Sequence, residues 1–229
     1  MNTTTNICIV HGRPGSGLTL LDRITRSILD NGNGDVFFNR GYTFTQPIVS
    51  YELVDQDFWY QNIAFTAPGT FVISFFWWPR FEEFKQRMQN VKIIVITFEL
   101  EDIPAIAKNF TKAISQKEIP GWERFLKGVL ETNSSIYPNP NASWEELNSV
   151  QKIAFTKILE NVILIENDWA KTVPDHDYVL SIPFKQLWTD TTATISQLKT
   201  FLGSDRETDA EMLKIYQDMS AKFIADYLS

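Results

Sequence analysis

The sequence predicts an α/β fold in which a largely parallel sheet is flanked by helices. Three observations carry that reading. Apolar runs of strand length at Ile7–Val10, Phe71–Trp78 and Val91–Phe98 are too continuous for a sheet with one wet face and suit strands buried on both. Segments with apolar residues at helical spacing separate them, and that alternation is the pattern of parallel strands joined by crossover helices. The first run also leads directly into a glycine-rich turn and a helix start, Gly12-Arg13-Pro14-Gly15-Ser16-Gly17-Leu18-Thr19. A turn of this kind gathers backbone N–H groups and a helix N-terminus around an anion.

Taken in order, Leu20, Leu21, Ile24 and Ile28 form the apolar stripe of a first helix, which Asn31-Gly32-Asn33-Gly34 ends. From Asp35 to Gly69 the pattern is irregular, with Val36–Phe38 and Ile48–Tyr51 as short strand candidates. A long irregular stretch in a compact domain suits a lid. Phe71–Trp78, stopped by Pro79, is a buried strand, followed by a short helix over 80–89. Val91–Phe98 is the next strand, and Glu101-Asp102 opens a helix with acidic residues where its dipole favours them. From Ile119 to Glu160 the chain reads as helical, broken at Tyr137–Asn141. Ser143-Trp144-Glu145-Glu146 reads as a capping box, and Leu147, Val150, Ala154 and Ile158 as the buried stripe behind it. Val162–Ile165 suits either a short strand or a continuation of that helix. Tyr178–Phe184 is a further strand. A helix carrying Ile195, Leu198, Phe201 and Leu202 stops at Gly203, and the last helix presents Met212, Tyr216, Met219, Phe223 and Tyr227 on one face.

Composition bounds the function. The chain has 229 residues, 44% of them hydrophobic, with no internal repeat and no low-complexity linker, so a single domain over 1–229 is expected. A net charge of -7 with no basic run argues against nucleic acid and against an anionic membrane as partner. No apolar run is long enough to span a bilayer, and the first residues lack the positive start of a signal peptide, so a cytoplasmic protein is expected. The one cysteine, Cys8, lies inside an apolar strand and reads as core. No spacing of His, Cys, Asp and Glu suggests a metal site.

The turn from Gly12 to Thr19 fits the triphosphate-binding pattern G-x-x-x-x-G-K-[ST] except that Leu18 stands in place of the lysine. Read with the other stretches it has a better match. Arg13-Pro14-Gly15-Ser16-Gly17-Leu18-Thr19-Leu20-Leu21 resembles the P-[KR]-S-G-T-T-x-L loop of sulfotransferases, with Pro14, Ser16, Gly17, Thr19 and Leu21 matching. Ile182–Leu187 with Phe201-Leu202-Gly203 is similar to that family's "xYExL" strand and the helix ending in F-L-G. Ile73–Phe76 and Ile93–Asp102 resemble its "IxTHLP" and "IxVxRNPxDxxxS" segments.

The resemblance implies a three-layer fold of the P-loop type. It also implies 3′-phosphoadenosine-5′-phosphosulfate as co-substrate, no metal, and transfer of a sulfuryl group to a hydroxyl or amine on a small molecule or glycan. Arg13, Pro14, Gly15, Ser16, Gly17, Leu18 and Thr19 would hold the donor's 5′-phosphosulfate. The departures fall where the family does its chemistry. Phe75 stands at the position of the catalytic histidine, and a phenyl ring takes no proton. Phe98 and Ile106 stand at the positions of the arginine and serine that grip the 3′-phosphate, and Gly15 replaces the loop's basic residue.

His11, beside the turn, is the candidate base among the two histidines; the other, His176, lies in a loop and is expected to be exposed. Glu82, Glu83, Glu99 and Glu101 follow strand ends and are further acids to weigh, although helix-start electrostatics accounts for each. Trp77 and Trp78 are candidates for a pocket wall. Three readings stand open: an active sulfotransferase, a binding protein that keeps the fold without the activity, and a P-loop kinase or phosphohydrolase. The missing lysine disfavours the last.

Overall fold

A computed structural model describes residues 5–29, 36–38, 69–75, 82, 85–86, 91–117, 122–205 and 210–228. Among these, strands β1 (Thr5–His11), β2 (Val36–Phe38), β3 (Gly69–Phe75), β4 (Val91–Thr97) and β5 (Val179–Pro183) form one sheet in the order β2-β3-β1-β4-β5. Every neighbouring pair is parallel. The first strand is therefore the middle one. Its last residue, His11, pairs in register with Phe75 on β3 and Val95 on β4. β-branched residues and burial on both faces explain β4, where Ile93, Ile94 and Val95 are each fully enclosed. Cys8 and Val10 of β1 are buried likewise, and burial pushes the Cys8 thiol up to about 12, so it is packing rather than a nucleophile.

The helices are α1 (Leu18–Leu29), α2 (Ile103–Ser115, after a tight turn at Leu100–Asp102), α3 (Trp122–Thr132), α4 (Ser149–Ala170), α5 (Phe184–Thr189), α6 (Thr191–Leu202) and α7 (Ala210–Phe223, continuing as a wider turn over Ile224–Leu228). From β1 the chain moves to one side of the sheet and from β4 to the other. Right-handed crossovers in opposite directions place their helices on opposite faces. The packing agrees, because α1 lies against α6 and α7, whereas α2 lies against α4. This is the expected three-layer α/β arrangement, and the reversal of strand order sits at the carboxyl end of β1, the usual ligand position in open parallel sheets.

Two ties hold the layer around α1. The Tyr216 hydroxyl, fully buried and pushed up to about 12 by that burial, donates to the Leu187 carbonyl. At the end of α6, Gly203 adopts a left-handed conformation, Ser204 N–H returns to Lys199 O at 3.0 Å, and the Ser204 hydroxyl donates to Ile28 O at 3.1 Å. The F-L-G signature thus records how α6 ends against α1.

Several expectations change. The capping box at Ser143–Glu146 exists as a turn, with Ser143 N–H donating to Glu146 Oε2 at 2.6 Å, but the helix begins at Ser149. Its real cap is one step on, where Asn148 and Gln151 exchange backbone-to-side-chain hydrogen bonds at 3.1 and 2.9 Å. Starting α4 there turns the buried face to Phe155, Leu159 and Ile163 and leaves Val150 74% exposed. Val162–Ile165 is helix, not strand. The segment resembling "xYExL" divides, strand to Pro183 and helix from Phe184. Of the helix expected over 80–89, Glu82, Lys85 and Gln86 are helical. The turn at 31–34, the lid proposed over 35–69 apart from β2 and Gly69, the strand at 48–51 and the tryptophans at 77 and 78 lie outside the described residues.

The corrected stripe is testable by urea denaturation. Phe155→Ala is expected to cost about 3–5 kcal/mol, the range for emptying a buried phenyl site. Val150→Ala is expected to stay within about 0.5 kcal/mol, as at other exposed positions. The sequence-derived stripe requires a substantial loss at Val150.

Candidate functional site

The turn between β1 and α1 is closely enclosed. Gly15 and Gly17 both have positive φ, 87° and 103°, a conformation that glycine adopts without a Cβ penalty. Each also meets a neighbour where a side chain would begin. A Cβ on Gly15 would lie 2.3 Å from the Ile106 carbonyl oxygen and 2.9 Å from the Phe110 nitrogen of α2. One on Gly17 would lie 2.8 Å from Leu187 Cδ2 and 2.8 Å from Trp188 Cζ2 of α5. The Asn109 side-chain amide donates to the Gly15 carbonyl at 2.9 Å, fixing the turn to α2 from the other direction. A basic residue at position 15 has no room, which accounts for its absence from this turn.

Within the turn, Ser16 N–H donates to Arg13 O at 2.9 Å, and the fully buried Ser16 hydroxyl donates to the same carbonyl at 2.7 Å. The helix begins immediately. Its first backbone bond runs from Leu21 N–H to Gly17 O at 3.0 Å, so the N–H groups of Leu18, Thr19 and Leu20 precede any intrahelical acceptor. Together with the left-handed glycines these donors stand at the positive end of a helix dipole.

The remaining sequence candidates fall around it in different ways. Leu18 is buried in the core, where a lysine would have to desolvate its charge; only its backbone faces the turn's chemistry. Thr19 is exposed on the first turn of α1, and Pro14 is half-buried. Arg13 is 9% exposed and engaged by a partner, so its charge is enclosed rather than solvated. His11 is 1% exposed and likewise engaged. A base must reach the acceptor's proton, and His11 does so only for an acceptor group admitted into the protein beside it. Phe98 and Ile106 both belong to the hydrophobic core and offer no donor to a phosphate. The side chain of Phe75 lies outside the described residues, as does Glu83.

The acids separate by sheet edge. Glu82 accepts from Tyr178 OH at 3.3 Å and contacts His176 Nε2 at 3.0 Å, just before β5 begins, at the edge opposite the turn. His176 is exposed, as expected. Glu99 and Glu101 follow β4 at the same edge as the turn. Glu101 is paired with Lys185 Nζ, which holds its carboxyl below the usual range.

Sequence reasoning passed over Asp102, which is 3% exposed. Its Oδ2 accepts from Glu99 N–H at 2.9 Å, its Oδ1 has no hydrogen-bond partner, and Lys185 Nζ lies 3.9 Å from Oδ1. Burial pushes this carboxyl up. Trp188 was also missed. Its indole packs on Gly17 and stacks on Phe223 with ring centroids 3.9 Å apart. Only tertiary structure brings α5 to the turn, so no local signal in the sequence marks it. Among the described residues no group of three or more His, Cys, Asp or Glu is placed to hold a metal, and no helix is long and apolar enough to cross a membrane.

Two outcomes follow for stability. Gly15→Ala combines a left-handed backbone with the 2.3 Å approach to Ile106 O, and is expected to cost more than the roughly 1–3 kcal/mol of backbone strain alone. Gly128→Ala, in α3 with nothing within 4 Å, is expected to stabilise by about 0.4–1 kcal/mol. Thermal midpoints of the two variants compare them directly.

For Asp102, a carboxyl raised in the folded state binds its proton more tightly there than in the unfolded chain. Stability is therefore lost as pH rises from the ordinary carboxylate value through the raised one. Asp102→Asn, which keeps an acceptor for Glu99 N–H, is expected to show a smaller loss over that window in urea titrations at a series of pH values. Parallel curves for the two proteins would remove Asp102 from this account.

No family model matches the sequence, and no curated protein matches it. Among solved structures the chain is similar to mouse sulfotransferase SULT7A1 complexed with PAP, with a TM-score of 0.46 and 19% identity over 96% of this chain. It spans 65% of the length of that mouse protein. It is also similar to a sulfotransferase from Alicyclobacillus acidocaldarius, with a TM-score of 0.46 and 14% identity, over 96% of this chain and 93% of the other. Both neighbours carry the name of the family that the sequence motifs resemble.

Proposed function

We propose that the turn from Gly12 to Thr19 binds the 5′-phosphosulfate of 3′-phosphoadenosine-5′-phosphosulfate and that the protein is sulfotransferase-like in function as in fold. The observation that carries this reading is the glycine turn itself. It stands at the carboxyl end of the middle strand of a parallel sheet, with left-handed residues at Gly15 and Gly17 and, directly behind, the N–H groups of α1 that precede its first intrahelical bond. Ser16 Oγ, which closes onto Arg13 O in the present arrangement, supplies a further donor once it turns to the anion.

In transfer, an acceptor oxygen or nitrogen forms a bond to sulfur as the bond from sulfur to the bridging phosphate oxygen breaks. The nucleotide bisphosphate leaves and the acceptor loses its proton. The turn's N–H groups act by stabilising charge on the leaving phosphate.

A specific observation also favours the second reading, a protein that binds the nucleotide without transferring from it. Phe98 and Ile106 are core residues, and the only histidine near the turn, His11, is enclosed. The third reading, ATP chemistry, has against it the burial of Leu18 at the lysine position.

Thermal denaturation with adenosine 3′,5′-bisphosphate, and separately with ATP and magnesium, distinguishes these. At a hundred times the dissociation constant the bisphosphate is expected to stabilise by about 2.7 kcal/mol, a rise of about 5–10 °C for a chain of this size. No rise at millimolar bisphosphate defeats the proposal, and a rise with ATP and magnesium alone supports the third reading. Product formation from the labelled donor, over a panel of phenols, alcohols, amines and glycans, then separates transfer from binding.

A further inference from the structure

Trp188 holds a buried donor that nothing among the described residues uses. The residue is 4% exposed, and its Nε1 has no hydrogen-bond partner. The ring stacks on Phe223 within 6° of parallel. The atoms that a Cβ on Gly17 would meet are Trp188 Cζ2 at 2.8 Å and Cε2 at 3.2 Å. Cε2 is bonded to Nε1, so the indole nitrogen is one bond from an atom that approaches the turn. The nearby carbonyl of Leu187 is already taken by Tyr216. Buried polar groups in folded proteins nearly always find partners, and a residue needed here only to stack and fill space is served by phenylalanine without stranding an N–H.

We infer that the Trp188 indole N–H is a donor to the oxyanion held by the glycine turn, adding a second side-chain donor to the backbone N–H groups and the Ser16 hydroxyl. This rests on the proposed anion-binding role of the turn and adds a residue and a ligand chemistry to it. The indole is a neutral donor with no acceptor. It therefore suits an oxygen of a phosphate or sulfuryl group and does not discriminate by charge state. In the closed arrangement, with Ser16 Oγ on Arg13 O, Nε1 is shut off from solvent. Binding there requires Ser16 Oγ to release Arg13 O and the contact between Gly17 and the ring to loosen, a change that amide shifts at Gly15 and Gly17 report.

The test is nitrogen–proton correlation NMR of the whole chain, titrated with adenosine 3′,5′-bisphosphate. The Trp188 indole signal is assigned by its loss in Trp188→Phe or, should that variant not fold, by its contacts to the Phe223 ring. The expected result is a downfield move of the Trp188 indole proton at saturation, together with shifts of the Gly15, Gly17 and Leu18 amides. Where the variant folds, its affinity for the bisphosphate is expected to be weaker by about tenfold or more, as for a lost hydrogen bond to a charged group. Shifts in the turn's amides with the indole signal unmoved, or equal affinity in Trp188→Phe, overturn the inference and leave the turn's role standing. Amides of the turn that do not respond at all overturn both.

Discussion

The close approach of the glycine turn to two helices is the constraint on which the site depends. On one side Gly15 lies against the Ile106–Phe110 backbone of α2; on the other Gly17 lies against Leu187 and Trp188 of α5. Neither contact tolerates a Cβ, and both glycines hold φ values that other residues resist. The turn is thus fixed between elements that leave β4 and β5 on neighbouring strands of the same parallel sheet. The end of α7 closes the bracket, with Phe223 stacked on Trp188 and Asp226 paired to Lys112 of α2 at 3.2 Å. That ion pair is half exposed and contributes little alone; the stacked rings and the buried Tyr216 bond carry more of the fixing.

This packing has a chemical consequence. A turn pressed so closely cannot carry a lysine or arginine at position 15, and Leu18 spends its side chain on the core. Attraction for an anion has to come from backbone N–H groups, the dipole of α1 and whatever neighbouring side chains can donate. Ser16 and Trp188 are candidates for that part, one bonded to its own turn and one without a partner among the described residues. Of the charged groups near the turn, Lys185 is paired with Glu101 and Lys112 with Asp226, while Arg13, in the turn itself, is buried and engaged. Ile106 and Phe110 press on the turn from one side and Leu187 and Trp188 from the other, a setting in which a few fixed donors act strongly.

How much of this was legible in the sequence follows from the range of each interaction. The strands at β1 and β4, the turn and the stop at Gly203 are set by local patterns, continuous apolar runs and glycines at particular places, and they appear where those patterns put them. The start of α4 is misread because two capping sequences lie five residues apart, Ser143–Glu146, which forms only its Glu146 side-chain bond, and Asn148–Gln151, which forms both bonds. Only the second leads into a helix, and the shift moved the buried face from Val150 to Phe155. At the site, the turn was readable, but the reason for Gly15 was not. That reason is a contact with α2, more than ninety residues away, as is the indole of Trp188 against Gly17. Asp102 was hidden for a related cause: the charge pattern before α2 marks a helix start equally well whether its carboxyl is wet or buried.

A crystal structure of the protein grown with saturating adenosine 3′,5′-bisphosphate tests the central claim most directly. The account predicts the 5′-phosphate within hydrogen-bond distance of the backbone nitrogens between Gly15 and Thr19, with Ser16 Oγ turned away from the Arg13 carbonyl. A nucleotide bound at another place on the sheet edge, with the Ser16 to Arg13 bond intact and the turn empty, would contradict it.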